Sequence, residues 1–161
     1  MSECRSVLGI GVVLPNSLGE VLCVRRCGEQ SPGWTIPDGV ILPGQTAEEA
    51  ASVNMLEKLG IQIINPKFIG LVDNRDSYKK DGIYIYSTVL IARSYIGNPE
   101  IQPSQLGEFD EIGIFDAENY IPEPHYPPSR RAIEHWLGGI VYEGVSDGKD
   151  YNVLGADTGL M

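Results

Sequence analysis

The stretch that decides the fold is WTIPDGVILPGQTAEEAASVNMLEKLGI, residues 34–61. Its first part is rich in Gly and Pro and predicts a loop, whereas its second part predicts a helix with a periodic apolar face. Thr46 is a preferred N-cap residue, and Glu49, three residues later, completes a capping box. Gly60 predicts the end of the helix, because glycine readily adopts the left-handed conformation found there. The chain therefore places a long loop directly before a well-delimited helix.

Strand-like runs surround this loop and helix. The predicted strands cover residues 6–14, 21–25, 67–72, 83–93 and 111–115, and a second helix covers residues 128–137. The first two runs flank a turn and predict a hairpin. The order of strands, loop, helix, strands and helix indicates an α+β fold with a sheet between two helices.

The composition predicts one main domain. The chain has 161 residues, of which 42% are hydrophobic, and this is enough for a single core. We assign residues 1–137 to this domain. Residues 138–161 are rich in Gly and carry four acidic residues against one Lys, so we expect a flexible or loosely docked C-terminal extension.

The charge of the chain excludes some classes of partner. With 12 basic and 22 acidic residues the formal net charge is −10, which argues against binding to a nucleic-acid backbone. The sequence has no run of 18 apolar residues that would span a membrane. Its first residues lack the layout of a signal peptide. We therefore expect a cytoplasmic protein without a membrane partner.

Residues 34–61 resemble the sequence box of the Nudix hydrolase family. In that box a Gly is followed, at fixed spacing, by a Glu, an Arg-Glu pair, a hydrophobic residue, a Glu-Glu pair, a Gly and a last hydrophobic residue. The positions that agree are Gly39, Met55, Glu57, Gly60 and Ile61. The resemblance extends over about residues 6–137. It implies a Nudix-type α/β/α sandwich with a mixed β-sheet between helices.

Four positions depart from the family pattern: Gln45 and Asn54 replace Glu, Val53 replaces Arg, and Lys58 replaces the second Glu of the pair. In the family, the Glu residues at positions 54, 57 and 58 hold a divalent metal. Their spacing puts all three on one face of the helix. The formal charge of this ligand set falls from −3 in the family to 0 here, because Lys58 cancels Glu57. The resemblance therefore implies a fold that is kept and a metal site that is largely dismantled.

The resemblance still provides candidate catalytic residues. Glu57 with Glu108 or Glu111 would be the remaining catalytic carboxylates, and Glu57 with Glu108 would bind Mg²⁺ or Mn²⁺. The alternative is that Glu57 is a solvated carboxylate on the helix surface and that the protein uses no metal.

Candidate substrate-binding residues come from the loop, the helix and the neighbouring strands: Arg25, Arg26, Trp34, Gly39, Lys58 and Tyr84. Lys58 either contacts a diphosphate from the position of the metal or is an ordinary exposed lysine. Trp34, with Tyr84 or Tyr86, either stacks on a base or sugar or belongs to the core. Strand geometry allows only one of the two arginines to face the cleft.

Two functions remain open from the sequence. The first is a divergent hydrolase of a nucleoside diphosphate linked to another moiety, which acts through a reduced metal site. The second is a non-catalytic Nudix-fold module that binds a nucleotide, a protein or another ligand. Because Nudix proteins are often dimers, the resemblance also allows a homodimer.

Overall fold

The computed structural model describes residues 5–27, 33–74, 79, 82–138, 142–146 and 149–154. Its strands are β1 (Arg5–Val13), β2 (Glu20–Arg26), β3 (Trp34–Thr35), β4 (Asp38–Val40), β5 (Gln62–Ile64), β6 (Lys67–Asn74), β7 (Ile83–Ile91), β8 (Ser94–Ile96), β9 (Phe109–Asp116), β10 (Tyr142–Ser146) and β11 (Lys149–Leu154). Its helices are α1 (Ala47–Leu59) and α2 (Pro127–Gly138), and a 3₁₀ turn spans Pro103–Gln105.

The main sheet is mixed, as predicted. Its six strands lie in the order β11-β10-β6-β7-β1-β4. The pairs β1–β7 and β10–β6 are parallel, whereas β6–β7, β1–β4 and β10–β11 are antiparallel. A three-stranded sheet, β3-β2-β9, and a two-stranded sheet, β5-β8, complete the described strands.

Helices α1 and α2 cover opposite faces of the main sheet. Because side chains alternate along a strand, Val12 and Val13 of β1 belong to different cores. Val12 packs with Met55 of α1 in one core, whereas Val13 packs with Ile133 of α2 in the other. This arrangement confirms the predicted α/β/α sandwich.

Helix α1 has the predicted ends. The Thr46 side chain accepts a hydrogen bond from the backbone N–H of Glu49 at 3.1 Å, and Gly60 closes the helix at φ 68°. Met55 and Leu59 are completely buried on its inner side. The outer side stays in solvent, where Leu56 is 58% exposed.

The predicted hairpin is only partly present. β1 and β2 meet at a bridge between Pro15 and Val21, but they continue into different sheets. The predicted long loop also contains two short strands, β3 and β4, which a Gly- and Pro-rich sequence does not reveal. Within residues 138–161, β10 pairs with β6 and β11 pairs with β10. Across the described residues, no helix has the length and apolar character of a membrane span.

Candidate functional site

An open cleft of about 660 Å³ lies between the N-terminal half of the β1–β7 pair, β4, α1 and the loop before β9. Its floor is apolar, with Ile10 and Ile85 among the lining residues. Its polar lining residues are Arg26, Asp38, Asn54, Lys58, Ser87, Gln105, Glu108 and Tyr126. The volume is within the usual range for sites that bind small molecules.

Lys58 reaches the cleft from the last turn of α1. Its ammonium donates a hydrogen bond to the backbone carbonyl of Asp38 at 2.7 Å. The same ammonium lies 5.6 Å from the centre of the Phe109 ring. The cation is therefore held at the cleft by a carbonyl oxygen and an aromatic face, and it forms no ion pair with a residue in the described ranges.

Asn54 lies one turn before Lys58 on the same face of α1. Its Nδ2 donates to the carbonyl of Ala50 at 2.8 Å and, over a longer 3.5 Å, to that of Val40. The helix also approaches Gly39 so closely that a Cβ there would lie 2.0 Å from the Asn54 Oδ1. Hydrogen bonds from Asn54 and Lys58 therefore connect α1 to the backbone carbonyls on either side of Gly39.

Arg26 forms ion pairs with both carboxylates that line the cleft. Its guanidinium donates to Asp38 Oδ1 at 2.5 Å and to Glu108 Oε1 at 2.8 Å. Burial lowers the pKa of Arg26, but the charges and hydrogen bonds of Asp38 and Glu108 outweigh this and raise it. Since Arg26 and Lys58 carry two positive charges and Asp38 and Glu108 two negative ones, the cleft is formally neutral.

The other two altered box positions have local roles. Gln45 Oε1 accepts a hydrogen bond from the backbone N–H of Leu42 at 2.9 Å, which closes the loop upon itself. Val53 is 40% exposed on the outside of α1. The Glu and the Arg that the family pattern has at positions 45 and 53 are thus replaced by a Gln with a loop contact and by a Val on the surface.

The structure brings together four of the residues predicted from the sequence: Arg26, Gly39, Lys58 and Glu108 all line the cleft. Glu57 lies on the exposed side of α1, and its carboxylate has no hydrogen bond or ion pair with a described residue. It is absent from the lining of the cleft.

Arg25 and Glu111 form a second cluster beside the cleft. Arg25 pairs with Asp110 at 2.8 Å and with Glu111 at 3.1 Å. The guanidinium also lies 5.7 Å from the centre of the Trp34 ring. As strand geometry predicts, Arg25 and Arg26 point to different sides of β2, and Arg26 lines the cleft.

The predicted stacking residues lie away from the cleft. Trp34 is only 8% exposed and packs edge-on against Phe115 with ring centres 5.0 Å apart. Tyr84 stacks on Tyr86 at 5.9 Å. Because the alternate residue Ile85 faces the cleft, Tyr84 and Tyr86 belong to the opposite face of the sheet.

Sequence reasoning missed four polar residues of the cleft: Asp38, Ser87, Gln105 and Tyr126. Asp38 had a detectable signal, because it directly precedes the box residue Gly39. Gln105 ends the 3₁₀ turn and Tyr126 directly precedes α2. The position of both depends on packing, and their neighbours in sequence gave no such signal.

A chain of buried hydrogen bonds connects the segment before β4 to the start of α2. The backbone N–H of Ile36 donates to Ser129 Oγ at 2.7 Å, and Ser129 Oγ lies 2.7 Å from His125 Nε2. His125 Nδ1 lies 3.2 Å from the carbonyl of Pro122, which assigns the ring proton to Nδ1 and makes Nε2 an acceptor. Burial lowers the pKa of His125 to about 4, so the ring is neutral at pH 7.

Comparison with known proteins identifies relatives of the chain. It is 36% identical over 70 residues to proteins named RNA pyrophosphohydrolase from Pseudoalteromonas atlantica and Erwinia tasmaniensis. Each match covers 44% of this chain and 39% of the relative, so the chain spans about two fifths of the length of these curated relatives.

Solved structures show the same fold. The MutT Nudix hydrolase from Burkholderia pseudomallei superposes with a TM-score of 0.71 at 23% identity, covering 81% of this chain and 97% of that one. The ORF135 protein of E. coli superposes with a TM-score of 0.68 at 15% identity, covering 83% and 89%. The family model described as the NUDIX domain matches residues 5–137. This chain therefore belongs to the Nudix family.

Proposed function

We propose that the cleft binds a nucleotide-type anion without a divalent cation, and that the chain is a binding module of the Nudix family. The observation that carries this proposal is the hydrogen bond from the Lys58 ammonium to the Asp38 carbonyl. It fixes a positive charge on the helix face where the family holds its metal.

The residues at the three metal positions do not fit Mg²⁺ or Mn²⁺, which Nudix hydrolases generally use. These ions prefer anionic oxygens in octahedral geometry. Here Asn54 directs an amide N–H₂ group toward carbonyls and Lys58 presents an ammonium, so that Glu57 is the sole acid of the three. A dication about 4 Å from an ammonium is disfavoured by several kcal/mol at an effective dielectric constant near 20. Among the described residues, no His, Cys, Asp or Glu trio forms a metal-binding cluster.

The cleft offers cationic donors for a phosphate instead. Lys58 can share its remaining ammonium protons with a phosphate oxygen, and Arg26 provides the planar guanidinium that suits such an oxygen. Arg26 is already paired, but its two partners differ. The Asp38 side chain is 18% exposed, whereas that of Glu108 is 46% exposed. Since exposed ion pairs contribute little free energy, a ligand phosphate would displace Glu108 and leave Asp38 in place.

Hydrolysis is the second candidate function, and one observation favours it. The Glu57 carboxylate is exposed and has no partner among the described residues, so it stays available to a cation from solution. On this alternative Glu57 and Glu108 would hold Mg²⁺ or Mn²⁺, and a nucleoside diphosphate linked to another moiety would be cleaved. The RNA pyrophosphohydrolase name of the relatives agrees with such a reaction class.

The substitution Glu108→Gln distinguishes the two functions, because the binding module predicts a gain in ligand affinity and the hydrolase predicts a loss of activity. In the binding module Glu108 competes with the ligand for Arg26, so Glu108→Gln should tighten the binding of ADP and GDP. In the hydrolase Glu108 holds the metal, so the same substitution should abolish product formation. Isothermal titration in EDTA measures the first effect, and chromatography of ADP-ribose incubated with Mg²⁺ or Mn²⁺ measures the second.

Lys58→Met tests the proposed contact directly. Loss of a charge-assisted hydrogen bond should weaken ADP or GDP binding by about tenfold or more. Lys79→Met removes the same charge from an exposed position outside the cleft and serves as the control. The proposal is wrong if affinity requires Mg²⁺, if Lys58→Met binds as tightly as the control, or if turnover depends on Glu57.

A further inference from the structure

A second cavity, of about 410 Å³, lies at the opposite end of the β6–β7 pair from the cleft. It is formed by the start of β6, the end of β7 and the last turns of α2, and Phe68, Ile91 and Trp136 supply its apolar lining. Ser87 lines the cleft and Ile91 lines this cavity. Four strand residues separate them, or roughly 13 Å at the usual rise per residue, so this distal pocket is a separate site.

Two cations, Lys67 and Arg93, line the distal pocket. Both are exposed, and neither forms an ion pair with a residue in the described part of the chain. In contrast, Arg25, Arg26 and Arg130 are each paired with a carboxylate. The chain has 22 acidic residues and a net charge of −10. In such a chain, a pocket lined by two cations that have no carboxylate partner among the described residues is unusual. An anion of charge −2 would match them.

Aromatic rings border the same cations. Phe68 is 54% exposed, and Trp136 is half-buried at the edge of the second core. An exposed aromatic side chain beside a cavity provides a flat apolar surface on which a ring can stack. The distal pocket thus combines a site for a dianion with a surface for a planar group.

From this combination we propose that the distal pocket binds a nucleoside 5′-monophosphate. Its phosphate, which is close to doubly charged at neutral pH, would lie between Lys67 and Arg93, and its base would stack on Trp136. A carboxylate carries half that charge, and inorganic phosphate lacks the planar group. This site is independent of the cleft proposed above, because it shares no lining residue with it.

The test is a titration of the Lys58→Met protein with adenosine 5′-monophosphate in EDTA, followed by the indole N–H resonances in ¹H–¹⁵N spectra. Trp136 lines the distal pocket, whereas Trp34 is buried in the core and serves as an internal reference. A Trp136→Phe spectrum assigns the two signals. We expect the Trp136 signal to shift saturably with Kd at or below about 1 mM.

A double variant identifies the cations. Lys67→Ala/Arg93→Ala should weaken this binding by about tenfold or more, because both charge-assisted contacts are lost. Arg5→Ala/Lys79→Ala removes the same charge from exposed positions outside the pocket and should leave the affinity unchanged. Since all four side chains are exposed, both double variants should fold.

Three outcomes would overturn the assignment. They are a Trp136 signal that does not move, a shift that is the same in Lys67→Ala/Arg93→Ala, and an equal affinity for inorganic phosphate. If adenosine monophosphate binds here while ADP does not bind the cleft, the distal site stands and the proposed cleft function fails.

Discussion

The most direct test of the helix–loop contact is the stability of Lys58→Met. Methionine keeps the length and the apolar stem of the side chain but removes the ammonium that bonds to the Asp38 carbonyl at 2.7 Å. A hydrogen bond from a charged group contributes about 1.5–3 kcal/mol. The lower end applies here, because the cleft is open and water can hydrate the freed carbonyl. Loss of the contact with the Phe109 ring adds about 0.5 kcal/mol.

The sum is a loss of about 2 kcal/mol in the free energy of unfolding. For a chain of 161 residues this lowers Tm by roughly 4–8 °C. Urea unfolding followed by circular dichroism measures the loss, with Lys79→Met as the exposed control. Equal stability of Lys58→Met, the control and the wild type, within about 0.5 kcal/mol, would refute the idea that Lys58 fastens α1 to the loop.

Three further predictions concern Gly39, which lines the cleft, and the buried residues Ser129 and His125. Gly39→Ala should destabilise the fold by about 1–3 kcal/mol because its Cβ would meet Asn54, and the double variant with Asn54→Ala should recover most of the loss in urea unfolding. Ser129→Ala should cost about 1–3 kcal/mol, since the buried N–H of Ile36 loses its acceptor; a thermal shift below 2 °C would count against this. The folded-state pKa of His125, about 4, is below its ordinary value of 6.5, so the unfolded chain takes up the proton first as the pH falls. Stability should therefore fall by up to about 3 kcal/mol between pH 6.5 and 4, and a pH series should be flatter for His125→Gln.

Much of the fold could be predicted from local sequence signals. The cap at Thr46 and the end at Gly60 delimit α1 as observed, because both depend on residues within a few positions. The hairpin prediction failed in part because β1 and β2 separate after Pro15 and Val21. Which sheet each strand joins is decided by distant partners, and a run of apolar residues does not reveal them.

The sequence predicted four of the residues that line the cleft: Arg26, Gly39, Lys58 and Glu108. All four followed from the resemblance to the Nudix family: Gly39 and Lys58 from their positions in the box, Arg26 from the strand before it and Glu108 from the acidic segment after it. Tyr126 directly precedes α2 and Gln105 ends the 3₁₀ turn, and only the packing of these distant segments brings both residues to the cleft. For Trp34 the sequence left open whether the ring stacks on a base or sugar or belongs to the core, and the structure places it in the core.

The sequence by itself determined the family, the helix that carries the altered positions, and the presence of Asn54 and Lys58 where the family pattern has Glu. These depend on residue identity and on the fixed period of a helix. Only the tertiary structure decided what the side chain at position 58 contacts, because the Lys58 ammonium reaches a backbone carbonyl twenty residues earlier in the chain. It also decided that Arg26 pairs with Glu108, whose loop is distant in sequence and adjacent in space. Charges separated along the chain act on each other only after folding brings them within a few ångströms.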